Sequence, residues 1–174
     1  NSLLFFTTSA TIDRWQPGQV GQATPAGAIL DRWVTAKLQE LIETVTNALD
    51  RYDFPGAGRA LQDFVVRDLS TWYIRRSRDR VGPASLPKED KDAFYSTMYT
   101  VLTTLSVLLA PFIPFLAEYV FRLLRRPADP VSVHLAAWPK KGRVDRKLLV
   151  HMAEARRVAE EGLRLRKERG IRVR

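Results

Sequence analysis

Residues 29–52 read ILDRWVTAKLQELIETVTNALDRY, and the spacing of their apolar members decides the fold class. Val34, Leu38, Leu41, Ile42, Val45, Leu49 and Tyr52 recur at steps of three and four, the repeat of a helix with one buried face. Asp31 lies near the start, where a carboxylate suits the unpaired amides and the positive end of the helix dipole. Working outward, similar patterns flank this stretch. Asp53 is placed to cap a second helix with Pro55 in its first turn. That helix carries Leu61, Phe64, Val65, Leu69 and Trp72 on one face and runs to about Asp79. Another is expected from near Pro87 to about Leu109, with Glu89, Asp90 and Asp92 at its positive end. Pro111 and Pro114 end it, because proline lacks an amide hydrogen and restricts the residue before it. A last bundle helix covers about 113 to 124. Residues 1–11 read as helix already under way, 12–27 as a Pro- and Gly-rich loop, and 81–87 as a turn.

After a break at 125–130, residues 131–138 alternate and are expected to lie extended along the bundle. Residues of about 144–169 form a highly charged helix stopped by Gly170, and 171–174 look like the start of a strand. The expected architecture is all-α. A helical bundle over 1–139 contains the short extended segment. A basic helix and the start of a junction region follow over 140–174.

Composition narrows the class of function. The 174 residues carry 28 Lys and Arg against 19 Asp and Glu, a net charge of +9, and 45% are hydrophobic. A chain of this size can bury a core without staples. The absence of cysteine excludes disulfides, zinc–thiolate sites and cysteine nucleophiles, and fits a reducing cytoplasm. Asn1-Ser2-Leu3-Leu4-Phe5-Phe6 is no signal peptide, and with no initiator Met the chain reads as cut from something longer. Residues 101–117 carry no charge, but two prolines fall inside that run and it is too short for a membrane span. Two buried helices meeting at a proline corner explain it better. Leu3, Leu4, Phe5 and Phe6 are expected to leave apolar surface exposed.

The charge is one-sided. Residues 140–174 hold thirteen basic and five acidic groups, a net of +8, whereas residues 1–139 are nearly balanced. Such a tail calls for a polyanion, RNA rather than a membrane. A second basic cluster, Arg75, Arg76, Arg78 and Arg80, closes the helix that carries Trp72. Read at 100° per residue, Arg75 and Arg76 fall near the edge of the apolar face. There they can pair with Asp79 and Asp68, or grip phosphates with a planar fork that lysine lacks. Arg78 and Arg80 lie past that face and are candidates for RNA contact. In the tail, Arg164, Arg166, Lys167, Arg169, Arg172 and Arg174 stand against Glu168 alone and are the other RNA-binding candidates. Trp33, Trp72 and Trp138 read as core or seam residues, with the alternative that one offers a ring to an unpaired base. His134 and His151 have no carboxylate or cysteine at ligand spacing, and no phosphate-loop or dinucleotide glycine motif occurs. No catalytic residue and no metal site is assigned.

The motifs carry a family resemblance over essentially the whole chain. Leu69–Arg80, LSTWYIRRSRDR, resembles the LSxWYIRRSRDR signature of isoleucyl-tRNA synthetases. Asp31-Arg32-Trp33 is similar to their DRW helix start, and Ser132–Pro139 to their SVHLxxWP segment. Leu109–Glu118, LAPFIPFLAE, resembles a motif shared with valyl, leucyl and methionyl enzymes, and Gly170–Arg174 resembles a GIKVRQP-type junction. One departure is Val81-Gly82-Pro83, which lacks the aromatic usual after the arginine run.

The resemblance implies an all-helical domain that binds the anticodon arm of isoleucine tRNA. A catalytic domain elsewhere in the same polypeptide would use ATP and Mg to attach isoleucine, and an editing domain would remove misactivated valine. Neither domain's motifs occur in this chain, so the chain itself is expected to hold no cofactor and to catalyse nothing. Two alternatives are the same module from a valyl-type enzyme and a helical scaffold whose basic surface serves protein contacts.

Overall fold

The computed structural model describes residues 1–18, 28–81 and 88–171, and among these every regular element is helical. Helix α1 (Ser2–Ile12) is followed by α2 (Ile29–Asp50) and α3 (Phe54–Asp63). α3 continues without a break into a π-helical stretch (Phe64–Ile74), a last α turn (Arg75–Ser77) and a 3-10 turn (Arg78–Arg80). Then come α4 (Lys88–Leu109), α5 (Pro114–Leu124) and α6 (Arg146–Glu168). The all-α expectation is borne out.

α2 is the spine. It packs against α3, the π stretch, α4 and α6. Its buried side chains, Trp33, Val34, Leu38, Leu41, Ile42 and Val45, share one core with Phe64, Leu69, Tyr73, Phe94, Met98 and Leu105. Tyr73 and Phe94 stack at 5.7 Å between ring centroids. α2 ends at Asp50, two residues short of the expected Tyr52. Tyr52 adopts a left-handed φ of 60° and is 82% exposed, and the Asp53 amide reaches back to the Ala48 carbonyl at 2.8 Å. That closing bond satisfies a carbonyl of the last turn and turns the chain into α3. Asp53 Oδ1 accepts from the Gly56 amide at 2.9 Å, the cap expected from its position.

Two expectations need correction. Residues 131–138 are not extended throughout: Ser132 Oγ accepts from the His134 amide and starts a 3-10 turn (Val133–Leu135). Glu118 Oε2 holds that turn, accepting from Ser132 Oγ and the Val133 amide, each at 2.9 Å. The side-chain bonds override the alternating pattern. Nor is α5 buried centrally. Only Ala117, Phe121 and Leu124 are buried, whereas Phe115 is 91% exposed and Leu116 and Tyr119 are also exposed. At the other end, Phe6 is buried and Phe5 packs edge-on against Phe94, so of the first apolar residues only Leu4 is exposed.

From the 3-10 turn the chain runs back along α2 as a strap. Trp138 Nε1 donates to Thr46 Oγ1 at 2.9 Å, Lys141 pairs with Glu43, and the Gly142 amide donates to Gln39 Oε1. Asp145 then bonds Arg32 at 3.3 Å and caps α6 through the Leu148 amide at 3.0 Å. Leu148 and Met152 enter the main core, and beyond Met152 no residue of α6 is buried. Gly170, with φ 64°, closes the helix. The strand start expected at 171–174 lies almost wholly outside the described residues, as do most of the two loops expected over 12–27 and 81–87. No helix among the described residues is long and apolar enough to cross a membrane.

Candidate nucleic-acid interface

The π stretch sets where each arginine points. Phe64, Leu69 and Ile74 are buried at five-residue spacing, and so are Asp68 and Tyr73. Five is the hydrogen-bond step of a π-helix. A face projected at 100° per residue drifts away from this one. The buried face is therefore centred on Leu69 and Tyr73, and it carries Ser77 and Arg80 inward.

Arg80 is accordingly not a surface cation. It is 7% exposed and grips Asp31 with both arms, Nη1 to Oδ1 and Nη2 to Oδ2, each at 2.7 Å. Its Nε reaches Asp90 at 2.8 Å. Tyr73 donates to Asp31 at 2.6 Å. Burial works against the Arg80 charge, yet its hydrogen bonds to Asp31 and Asp90 hold its pKa above the ordinary arginine value. Burial, reinforced by Asp31, pushes the Tyr73 phenol well up. With every carboxylate contact inside the bundle, Arg80 is withdrawn as an RNA-binding candidate. The same geometry explains Asp31 more fully than a helix-start role does.

Arg75, Arg76 and Arg78 are exposed, and among the described residues none of them makes an ion pair. The expected pairing of Arg75 and Arg76 with Asp68 does not form. Asp68 is taken by Arg156 of α6 and by Lys37 of α2, the latter at 3.5 Å. Arg76 instead lies on the Trp72 ring, its guanidinium carbon 3.3 Å from the ring centroid. Arg156 stands 5.0 Å from the Trp72 ring and 5.5 Å from the Trp33 ring, and donates to the Arg67 carbonyl. Desolvation, then the like charges of Arg75 and Arg156, lower the pKa of Arg76. Among the described residues Asp79 pairs with neither Arg75 nor Arg76, so the result is an exposed patch of arginines whose buried neighbour Asp68 is already occupied. Trp33 is core and Trp72 and Trp138 are seams, as their spacing suggests.

On α6 the tail candidates divide. Arg164 is held along the helix by Glu161 and by Glu168, the latter at 2.6 Å. Arg166, Lys167 and Arg169 are exposed and make no ion pair among the described residues; Arg172 and Arg174 lie outside them. Sequence reasoning missed Arg156 as the bridge between α6 and the π stretch. The five-residue spacing of Phe64, Leu69 and Ile74 is a signal that Asp68, five residues before Tyr73, shares the buried face and needs a cation, but nothing in the sequence singles out Arg156 to supply it.

A family model described as the anticodon-binding domain of tRNA ligase matches residues 31–174. The chain belongs to this family. The anticodon-binding domain is 44% identical to an isoleucine–tRNA ligase of Thermobifida fusca over 180 residues, covering all of this chain and 17% of that protein. It is 39% identical to the isoleucine–tRNA ligase of Thermus thermophilus, again over the whole chain and 17% of the relative. The isoleucine–tRNA ligase of Clostridium tetani is 36% identical over 93% of the chain and 16% of its own length. The resemblance to isoleucyl enzymes is thereby borne out. The domain spans about a sixth of the length of these relatives, whose catalytic part lies elsewhere in them.

Proposed function

We propose that this domain binds the anticodon arm of isoleucine tRNA on behalf of an isoleucine–tRNA ligase, and that its contribution is grip and placement. The observation that carries the reading is the patch of Arg75, Arg76 and Arg78, without carboxylate partners among the described residues while Asp31, Asp68 and Asp90 are committed to Arg80, Arg156 and Lys37. Arg166, Lys167 and Arg169 on the exposed half of α6 extend the positive surface. Cations arranged this way neutralise phosphates and release counterions. The parent enzyme would join isoleucine to tRNA with ATP and Mg in the cytoplasm, its editing domain acting separately. Among the described residues no group of three or more His, Asp or Glu could hold a metal ion, so no step of that chemistry is assigned to this chain.

Fluorescence anisotropy with isoleucine tRNA and one unrelated tRNA, titrated across salt, tests the reading. Engagement of five or six phosphates gives log affinity falling against log salt with a slope of about −3.5 to −5. Tighter binding to isoleucine tRNA places anticodon readout in this domain. Equal binding to both assigns it phosphate grip alone. Salt-insensitive binding, or none at low salt, overturns the proposal in favour of a protein scaffold.

A further inference from the structure

We propose that Arg76, laid flat on Trp72, is a stacking platform for one unpaired base of the bound RNA; this rests on the reading above. Trp72 is half-buried, with Arg76 against its ring at 3.3 Å and Arg156 5.0 Å away, so a base approaching from solvent meets the Arg76 guanidinium before the indole. At 3.3 Å from the ring centroid a guanidinium fits only face-on, since an edge-on one would drive a nitrogen into the ring, and because Arg76 is exposed its opposite face is accessible to solvent. Contact with the ring fixes the plane without using any N–H donor, and the ring attracts the cation electrostatically. Asp68 does not compete, because it is held by Arg156 and Lys37, and among the described residues Asp79 makes no ion pair with Arg76.

A guanidinium held on a ring in this way has less rotamer freedom to lose when a ligand arrives. It offers the planar π surface that unpaired bases stack on. Duplex RNA keeps its bases stacked inside the helix and cannot present one. Arg75 and Arg78, exposed within one turn of Arg76, add positive charge for the phosphates near that base. The platform therefore selects single-stranded loop RNA over paired stem. It needs arginine rather than a point charge, since lysine keeps the cation and loses the plane.

The test compares the full 174-residue chain with Arg76→Lys and Arg76→Ala, against a stem-loop RNA and a fully paired RNA with the same number of phosphates. The side chain is exposed, so both variants should fold, which circular dichroism checks. Stacking predicts that both variants weaken stem-loop binding by about five- to a hundredfold. Binding to the paired RNA then changes little, and the salt slope of the Arg76→Lys variant is unchanged. Wild-type affinity in Arg76→Lys, with a slope in Arg76→Ala reduced by about 0.7–0.9, makes Arg76 a phosphate contact and overturns the platform alone. Equal losses on both RNAs overturn it too. Absence of wild-type binding to either RNA overturns the platform together with the reading on which it rests.

Discussion

Arg80 and Asp31, 49 residues apart, meet in a two-armed pair with both contacts at 2.7 Å, and this pair ties the end of the arginine run to the start of α2. Asp90, in the first turn of α4, takes the remaining edge of the same guanidinium. Removing one partner leaves the other as an uncompensated buried charge. Arg80→Met is expected to destabilise the fold by about 3–5 kcal/mol in urea unfolding, and Tyr73→Phe by about 1–3 kcal/mol. A loss below about 1 kcal/mol in Arg80→Met would show that the pair sets orientation and not stability.

Glu118 supplies a pH-dependent contribution. The backbone hydrogen bond from Val133, assisted by Ser132, holds its carboxyl below the usual glutamate range. A depressed folded-state pKa stabilises above the unfolded value, about 4.3, and that stability is lost as pH falls through the folded value. Wild type should therefore exceed Glu118→Gln in melting temperature at pH 6, and the gap should close in more acid solution. A gap constant from pH 6 to pH 3 would refute the assignment.

The glycines of α3 are not equivalent. A Cβ on Gly58 meets nothing within 4 Å, so Gly58→Ala should stabilise by up to about 1 kcal/mol through helix propensity. A Cβ on Gly56 would fall 2.0 Å from Asp53 Oδ2 and displace the capping carboxylate. Loss of such a cap costs about 0.5–2 kcal/mol, which cancels the propensity gain. Thermal melts of the two variants should separate, with Gly58→Ala the higher.

Asp68 fastens α6 to the bundle through Arg156, both side chains being mostly buried. Asp68→Ala should cost about 1–3 kcal/mol. It should also speed amide exchange in the first half of α6 more than in α2. Equal acceleration in both helices would mean that the pair serves the whole fold and not this junction.

Most helices are legible in the sequence because their apolar residues keep the α period and their ends carry Asp53, Asp145, Pro55, Pro114 and Gly170. The π stretch is not, since its wider repeat shows only as the spacing of Phe64, Leu69 and Ile74. Arg80 is hidden for its own reason: even at 100° per residue it falls about 20° from Leu69, on the apolar face, and only the packed bundle shows Asp31 and Asp90 meeting it there. The turn at 133–135 is hidden for another reason: it depends on Glu118, fifteen residues earlier, and local alternation cannot reveal a partner at that distance. The exposed cations Arg75, Arg76 and Arg78 are readable as a cluster, but that they pair with no carboxylate among the described residues is a property of the packed bundle.

Beyond Arg156, α6 is a cantilever. The twelve residues from Arg157 to Glu168 extend about 18 Å from the last fastening point. A disordered tail with the same charges would have to freeze its backbone dihedrals on meeting RNA, at about 1–2 kcal/mol per residue. A helical rod has already fixed them. What remains is angular play about the clamp, through which Arg166 and Lys167 can swing together toward a phosphate backbone while keeping their mutual spacing.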